Sequence, residues 1–189
     1  MQKAVAGEGG QGERLRVADL ATAALLLAVG YVLNTVMPPF YAGMKPDLVL
    51  AMLFVILLLF RNLTVDVAAG LAAGVITALT TSMPGGQIPN LVDKIVTTLV
   101  VVGVIRLVGR LQPNLLSVVV AVVGTLVSGT VFLRVAMAMG AVPSAAFRTL
   151  FLTVVLPTTL ANAVVVALLY AAARLARRAM GGATTPARG

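Results

Sequence analysis

The sequence contains no cysteine, no histidine and no tryptophan, and only 11% of its 189 residues are charged. Without cysteine there are no disulfides and no thiol nucleophiles, and without histidine there is no imidazole base. The same two absences remove the commonest protein ligands for zinc, iron and copper. Metal-dependent and covalent catalysis are therefore not expected, and we predict a chain that is not an enzyme and binds no metal or cofactor.

Apolar residues dominate what is present. They make up 60% of the chain, and the mean hydropathy of +1.05 is far above that of soluble domains. Several apolar stretches approach the roughly 20 residues that a helix needs to cross the ~30 Å hydrocarbon layer. The composition therefore predicts an all-α, polytopic membrane protein, folded as one compact bundle within the lipid bilayer.

Six segments have the character of membrane-spanning helices. They cover residues 18–37, 46–60, 65–82, 90–108, 115–139 and 149–175. Pro38 and Pro39 end the first, and Pro46 suits the first turn of the second. Asn90, with Asp93 three residues later, resembles the N-terminal cap of the fourth. The second segment is short, which predicts a helix that is tilted or covered by its neighbours.

Lysine and arginine positions predict the orientation, because cytoplasmic flanks of spans hold the excess of basic residues. With six spans both termini share one side, and ten of the 14 basic residues fall there: Lys3, Arg14, Arg16, Arg61, Arg106, Arg110, Arg174, Arg177, Arg178 and Arg188. Lys45, Lys94, Arg134 and Arg148 fall on the other side. We therefore expect a disordered cytosolic tail over residues 1–17, a six-helix membrane domain over 18–178 and a cytosolic tail over 179–189. The scattered basic residues do not suggest nucleic-acid binding.

The longest polar interruption is the segment TTSMPGGQIPNLVDK, residues 80–94, in an outward loop. Lys94 within it, and Lys45 in an earlier outward loop, lie at predicted helix starts, where a cation is unfavourable unless an anion is near. A substrate carboxylate is one candidate for that anion. The alternative is that the two lysines pair with Asp47 and Asp93 and extend to the outer surface.

Other side chains near the same end suit a zwitterionic solute. Asp47 or Asp93 can receive an ammonium group, beside the anion site. The hydrogen-bonding candidates are Gln87, Asn90 and Asn162, although an asparagine within a span, such as Asn162, more often makes an interhelical hydrogen bond. Gly85 and Gly86 permit close backbone approach to a ligand, and Phe40 or Tyr41 can stack on an aromatic group.

Two strings carry a family resemblance: Gly43-Met44-Lys45-Pro46-Asp47, and residues 80–90 continuing through Asp93-Lys94. With the six-span layout they resemble the TrpP tryptophan transporter family, regarded as substrate-binding S components of energy-coupling factor (ECF) transporters. The resemblance implies capture of L-tryptophan from outside a bacterial or archaeal cell. A transmembrane coupling subunit and two cytosolic ATPases would be its partners. Ala21, Ala24 and Ala28, on one face of the first helix, would match the face that docks on that subunit.

Two other functions are compatible with these observations. A stand-alone secondary transporter of an aromatic amino acid or another small zwitterion would use an intramembrane carboxylate for ion coupling. However, all four aspartates near the spans are predicted at helix ends. A scaffold protein that only binds other helices has no evident use for the polar loop. Catalysis is the least expected function, because no acid and base set is visible.

Overall fold

The computed structural model describes residues 17–38 and 47–182, in which helices and turns occur but no strand. The first five helices are α1 (Val17–Val36), α2 (Leu48–Phe60), α3 (Leu63–Leu79), α4 (Gln87–Val108) and α5 (Pro113–Ala138). A sixth helical unit follows as a continuous series: a 3₁₀ turn (Ser144–Ala146), α6 (Phe147–Leu150), a π-helical segment (Phe151–Val155) and α7 (Leu156–Gly182). The prediction of an all-α bundle with six helical units is confirmed.

Three stretches of the described chain have the length and apolar composition that crossing a membrane requires. They are Val17–Val36, Pro113–Ala138 and Ser144–Ala179. α2 and α3 are also apolar but shorter. At 1.5 Å per residue the 13 residues of α2 extend only about 20 Å, less than the hydrocarbon thickness. Such a helix needs protein around it.

Other helices surround α2, which packs against α1, α3, α4, α5 and α7. Its residues 49–58 are all buried, so every face of the helix is covered. Gly124 of α5 lies against the ring of Phe54, and a Cβ at this glycine would overlap the ring. The prediction that the second helix is covered by its neighbours is confirmed.

The bundle has two chemically different ends. At the arginine end, which includes Arg61 and Arg177, Arg177 Nη1 donates to Leu59 O at 3.1 Å and so joins α7 to the last turn of α2. Arg61 ends α2 in the left-handed conformation, with φ 49°. At the opposite end, the loop end, Gly85 of the α3–α4 loop approaches Ala141 of the α5–α6 turn.

The predicted start of α4 is wrong. Asn90 does not cap the helix, which begins at Gln87 with Gly86 as its N-cap, and the Asn90 side-chain amide instead donates to Gly86 O at 2.8 Å. Pro89 falls in the first turn, where its missing N–H removes no intrahelical hydrogen bond. α3 starts at Leu63 rather than at residue 65, since Asn62 caps it by accepting from Thr64 N and Val65 N.

The sixth unit contains a change of helix type before Pro157. The Leu156 N–H donates to Phe151 O, five residues back, as in a π-helix. Pro157 has no N–H to donate, and insertion of a π turn is one way in which a helix accommodates such an interruption. The segment packs against α5 closely, because Gly129 leaves room there for the side chain of Val155.

Candidate functional site

Lys94 lies between two carboxylates. Its Nζ is 2.7 Å from Asp47 Oδ2 and 2.5 Å from Asp93 Oδ2. The side chains of Lys94 and Asp93 are each 1% exposed, whereas Asp47 is 23% exposed. When all three groups are ionised, two carboxylates and one ammonium carry one net negative charge. We call Asp47, Asp93 and Lys94 the acidic triad.

Three helices position the acidic triad. Asp47 is the N-cap of α2, and its Oδ1 accepts from Leu50 N at 2.9 Å. Asp93 lies in the second turn of α4, where its Oδ1 accepts from Thr97 Oγ1 at 2.9 Å. Its Oδ2 accepts from Ser128 Oγ of α5, also at 2.9 Å. These bonds satisfy buried charges that would otherwise be costly.

A cavity of about 130 Å³ lies beside the acidic triad. Its polar lining includes the triad with Asn90, Thr125, Ser128 and Thr158, while its apolar lining includes Leu50, Met83, Phe132, Leu133, Val154 and Val155. Charged groups on one side and an apolar wall on the other suit a small amphipathic ligand.

The residues predicted to bind substrate fall into three groups. Those that line the cavity are Asp47, Asn90, Asp93 and Lys94. Gly85, Gly86, Gln87 and Asn162 belong to the described residues but are not part of the lining. Lys45, Phe40 and Tyr41 lie outside the described residues. A role in substrate binding remains a prediction for every member of the set.

The pairing of Lys94 corresponds to the alternative of internal ion pairs, with one difference. Lys94 does not extend to the outer surface, because it is buried between its two partners. Its ammonium also occupies the position between carboxylates at which a cation would bind. Among the described residues, no three Asp, Glu, His or Cys side chains gather as a possible metal site.

The two loop glycines have conformational and packing roles. Gly85 has a φ of 76°, in the left-handed region that L side chains rarely adopt. Gly86 lies so close to the Thr81 side chain that a Cβ would overlap its hydroxyl oxygen. Gln87 begins α4 and is exposed. These residues shape the loop beside the cavity.

Asn162 makes the interhelical hydrogen bond that was one of its two predicted roles. Its Nδ2 donates to Thr125 Oγ1 at 3.1 Å and so joins α7 to α5. Asn162 is 1% exposed and lies behind Thr125, which does line the cavity. The Asn162 amide therefore contacts a residue of the cavity lining, Thr125, but does not line the cavity itself.

Sequence reasoning missed the contribution of α5. Thr125, Ser128 and Phe132 all line the cavity. Their spacing of three, four and seven residues places them on one face of a helix. Two hydroxyl residues, Thr125 and Ser128, on one face of an otherwise apolar span indicate a polar site next to that face. The sequence therefore contained a signal for the contribution of α5.

These features define a helical membrane protein with a candidate solute-binding cavity inside its bundle. Residues 16–178 match the family described as "Tryptophan transporter TrpP", and this range covers most of the chain. The chain belongs to the TrpP tryptophan transporter family.

Curated relatives match over shorter segments. A "Probable tryptophan transport protein" of Clostridium acetobutylicum is 46% identical over 57 residues, which cover 30% of this chain and 33% of that protein. A protein of Bacillus subtilis with the same description is 44% identical over 46 residues, or 24% of this chain and 27% of the relative. The aligned segments thus span a third or less of either relative. No solved structure matches the chain significantly.

Proposed function

We propose that this chain captures L-tryptophan at the outer face of a bacterial or archaeal cell membrane, as the substrate-binding S component of an ECF transporter. The family match over residues 16–178 carries the proposal. In the proposed topology all six helical units cross the bilayer, the loop end faces outside and both termini are cytoplasmic. The arginine end then obeys the positive-inside rule.

The chemistry of the cavity supports a zwitterionic aromatic substrate. The net negative charge of the acidic triad favours an ammonium group over a third carboxylate. Asp47 is the triad member that is most accessible, and a carboxylate has about four lone-pair sites, so Asp47 can accept further hydrogen bonds. The apolar side of the cavity, including Phe132 and Met83, suits an indole ring.

Coupling to ATP hydrolysis belongs to other subunits in this proposal. This chain is not an enzyme, and a transmembrane coupling subunit with two cytosolic ATPases supplies the energy. Ala21, Ala24 and Ala28 of α1 are exposed along one side of the bundle. Small residues allow close helix approach, which supports this side as the docking face.

Equilibrium binding to the full-length chain in detergent micelles, without nucleotide, tests the proposal. The chain contains no Trp, so a bound tryptophan would be the complex's only indole and its fluorescence reports binding directly. We expect saturable binding of tryptophan in preference to phenylalanine, tyrosine and riboflavin. Absence of tryptophan binding by the folded protein would overturn the substrate assignment.

Asp47→Asn tests the ammonium subsite. Asparagine is also a good N-cap, so α2 is expected to remain intact. Loss of a hydrogen bond to a charged partner predicts about ten- to hundredfold weaker tryptophan binding. Asp19→Asn, in the first turn of α1, is the matched control and should bind as the parent does. Equal affinities for both variants would exclude Asp47 from the subsite.

Lys45 is also predicted to lie near the carboxylate of the substrate, and Lys45→Ala tests that prediction in the same binding assay.

A stand-alone secondary transporter is the second candidate, because of one observation. Asp93 is 1% exposed and lies beyond the first turn of α4, not at the helix end that the sequence predicted. Buried carboxylates within spans often serve proton or sodium coupling. Tryptophan uptake by cells that lack ECF coupling subunits would favour this candidate, whereas uptake that requires those subunits would favour the S component.

A further inference from the structure

A ligand carboxylate in the cavity needs donors other than Lys94. Lys94 is the only cation among the described residues that line the cavity, and both of its ionic contacts are with carboxylates. A ligand anion beside it would meet the two aspartates as well. Neutral hydrogen-bond donors avoid this repulsion, and hydroxyl groups are such donors.

Two threonines of the lining have unused hydroxyl donors. Within the described part of the chain, neither Thr125 of α5 nor Thr158 of α7 donates to a protein atom, and Thr125 is only 3% exposed. Three other hydroxyls of the lining already donate to protein atoms. Thr77 and Thr80 donate to backbone carbonyls, and Ser128 donates to Asp93.

Asn162 restricts the direction of the Thr125 hydroxyl. Its amide donates to Thr125 Oγ1, so the hydroxyl hydrogen must point away from that amide. Asn162 follows Thr158 by four residues, which places the two side chains on the same face of α7. Thr125 and Thr158 therefore belong to one wall of the cavity, where α5 meets α7.

We propose that Thr125 and Thr158 bind the carboxylate of the substrate, with Asn162 as the positioning residue for Thr125. This inference rests on the proposed function and adds the second half of the zwitterion site. Ser128, which contacts Asp93, lies about one helical turn, or roughly 5 Å, from Thr125 along α5. Thr125 thus lies one turn of α5 away from a contact of the acidic triad, which suits an α-amino acid, whose ammonium and carboxylate are attached to the same carbon.

The test compares tryptophan with tryptamine, which has the indole and the ammonium but no carboxylate. Thr125→Val and Thr158→Val keep the side-chain shape and remove the hydroxyl. We expect each to weaken tryptophan binding about tenfold and to leave tryptamine affinity within about twofold of the parent. Thr130→Val is the matched control on α5, because Thr130 is outside the lining and donates to Leu126 O. Thr125→Ser should restore tryptophan binding.

A double-variant comparison tests the positioning role. Asn162→Leu should weaken tryptophan binding only while Thr125 is present. Asn162→Leu combined with Thr125→Val should therefore bind no more weakly than Thr125→Val alone. Additive losses would overturn the positioning role, because Asn162 would then act independently of the hydroxyl.

Two results would overturn the carboxylate assignment while leaving the proposed function intact. One is an equal loss of tryptophan and tryptamine affinity in the valine variants, which would indicate a packing role. The other is a selective loss for tryptophan but not for β-(3-benzothienyl)alanine, which has sulfur in place of the indole N–H. That result would assign the hydroxyls to the indole. A parent chain that binds no tryptophan would overturn the proposed function itself, together with this inference.

Discussion

The apolar core around α2 and the cavity beside the acidic triad at the loop end are adjacent, and Leu50 belongs to both. In the core, residues 49–58 are all buried, and the ring of Phe54 packs against Gly124. In the cavity, directional contacts hold the buried groups, as Asp93 is held by Lys94 and Ser128. The same helices thus provide two different kinds of stabilisation.

The difference lies in how each region responds to the loss of one group. Apolar contacts depend on shape, so the cost of a substitution grows gradually with the volume changed. The cost of removing a buried charge does not grow gradually in this way, because the oppositely charged partners stay buried without compensation. A buried ion pair is also weak evidence for stability by itself. We therefore expect the loss of one charge beside the cavity to lower stability more than a small change of volume in the core does.

The largest expected effect follows from breaking the charge balance. Lys94→Met keeps an unbranched side chain of nearly the same length but leaves Asp47 and Asp93 facing each other without the ammonium. Breaking a buried pair in this way costs about 3–5 kcal/mol. Unfolding of the variant in detergent, followed by circular dichroism during heating, measures the loss.

The matched double variant separates charge from shape. Lys94→Met combined with Asp93→Asn removes both the ammonium and the more deeply buried carboxylate. It should recover part of the lost stability, because Asp47 is partly exposed and can be hydrated. Equal stability of the single variant and the parent would show that Lys94 does not balance the two aspartates.

The next effect concerns the apolar core. Gly124→Ala places a Cβ against the Phe54 ring, and overpacking of this kind costs about 1–3 kcal/mol. Gly103→Ala in α4 is the matched control, because no atom lies within 4 Å of the added Cβ. Gly124→Ala should therefore unfold at a lower temperature than Gly103→Ala. If both variants unfolded at the parent's temperature, close packing at Gly124 would not contribute to stability.

Local sequence signals predicted much of the fold. Long apolar stretches indicated the helices, and the polar segment at residues 80–94 marked the connection between α3 and α4. The start of α4 was misjudged because Asn90 resembled a cap, although Pro89 beside it is equally suited to a first turn. The shortness of the second stretch correctly indicated a covered helix.

The candidate site was less predictable, because its contacts join residues that are distant in the chain. Lys94 and Asp93 are neighbours in sequence, but Asp47 and Ser128 reach them only through the packing of α2 and α5 against α4. The sequence predicted that acidic and basic side chains lie near the same end of the bundle. Which groups neutralise each other depends on side-chain geometry, which residue spacing does not specify.

The smallest effect is expected at the arginine end. Arg177 donates to Leu59 O and stacks 4.5 Å above the Phe60 ring, but it is exposed, so water competes for both contacts. A cation–π contact at such a site contributes about 0.5–1 kcal/mol. Arg177→Ala should lower the unfolding temperature slightly, while Arg178→Ala, one position later, should leave it unchanged. Because salt screens exposed charges, the difference between the two variants should shrink as ionic strength rises. A difference independent of salt would mean that Arg177 stabilises the end of α2 through apolar packing of its side chain.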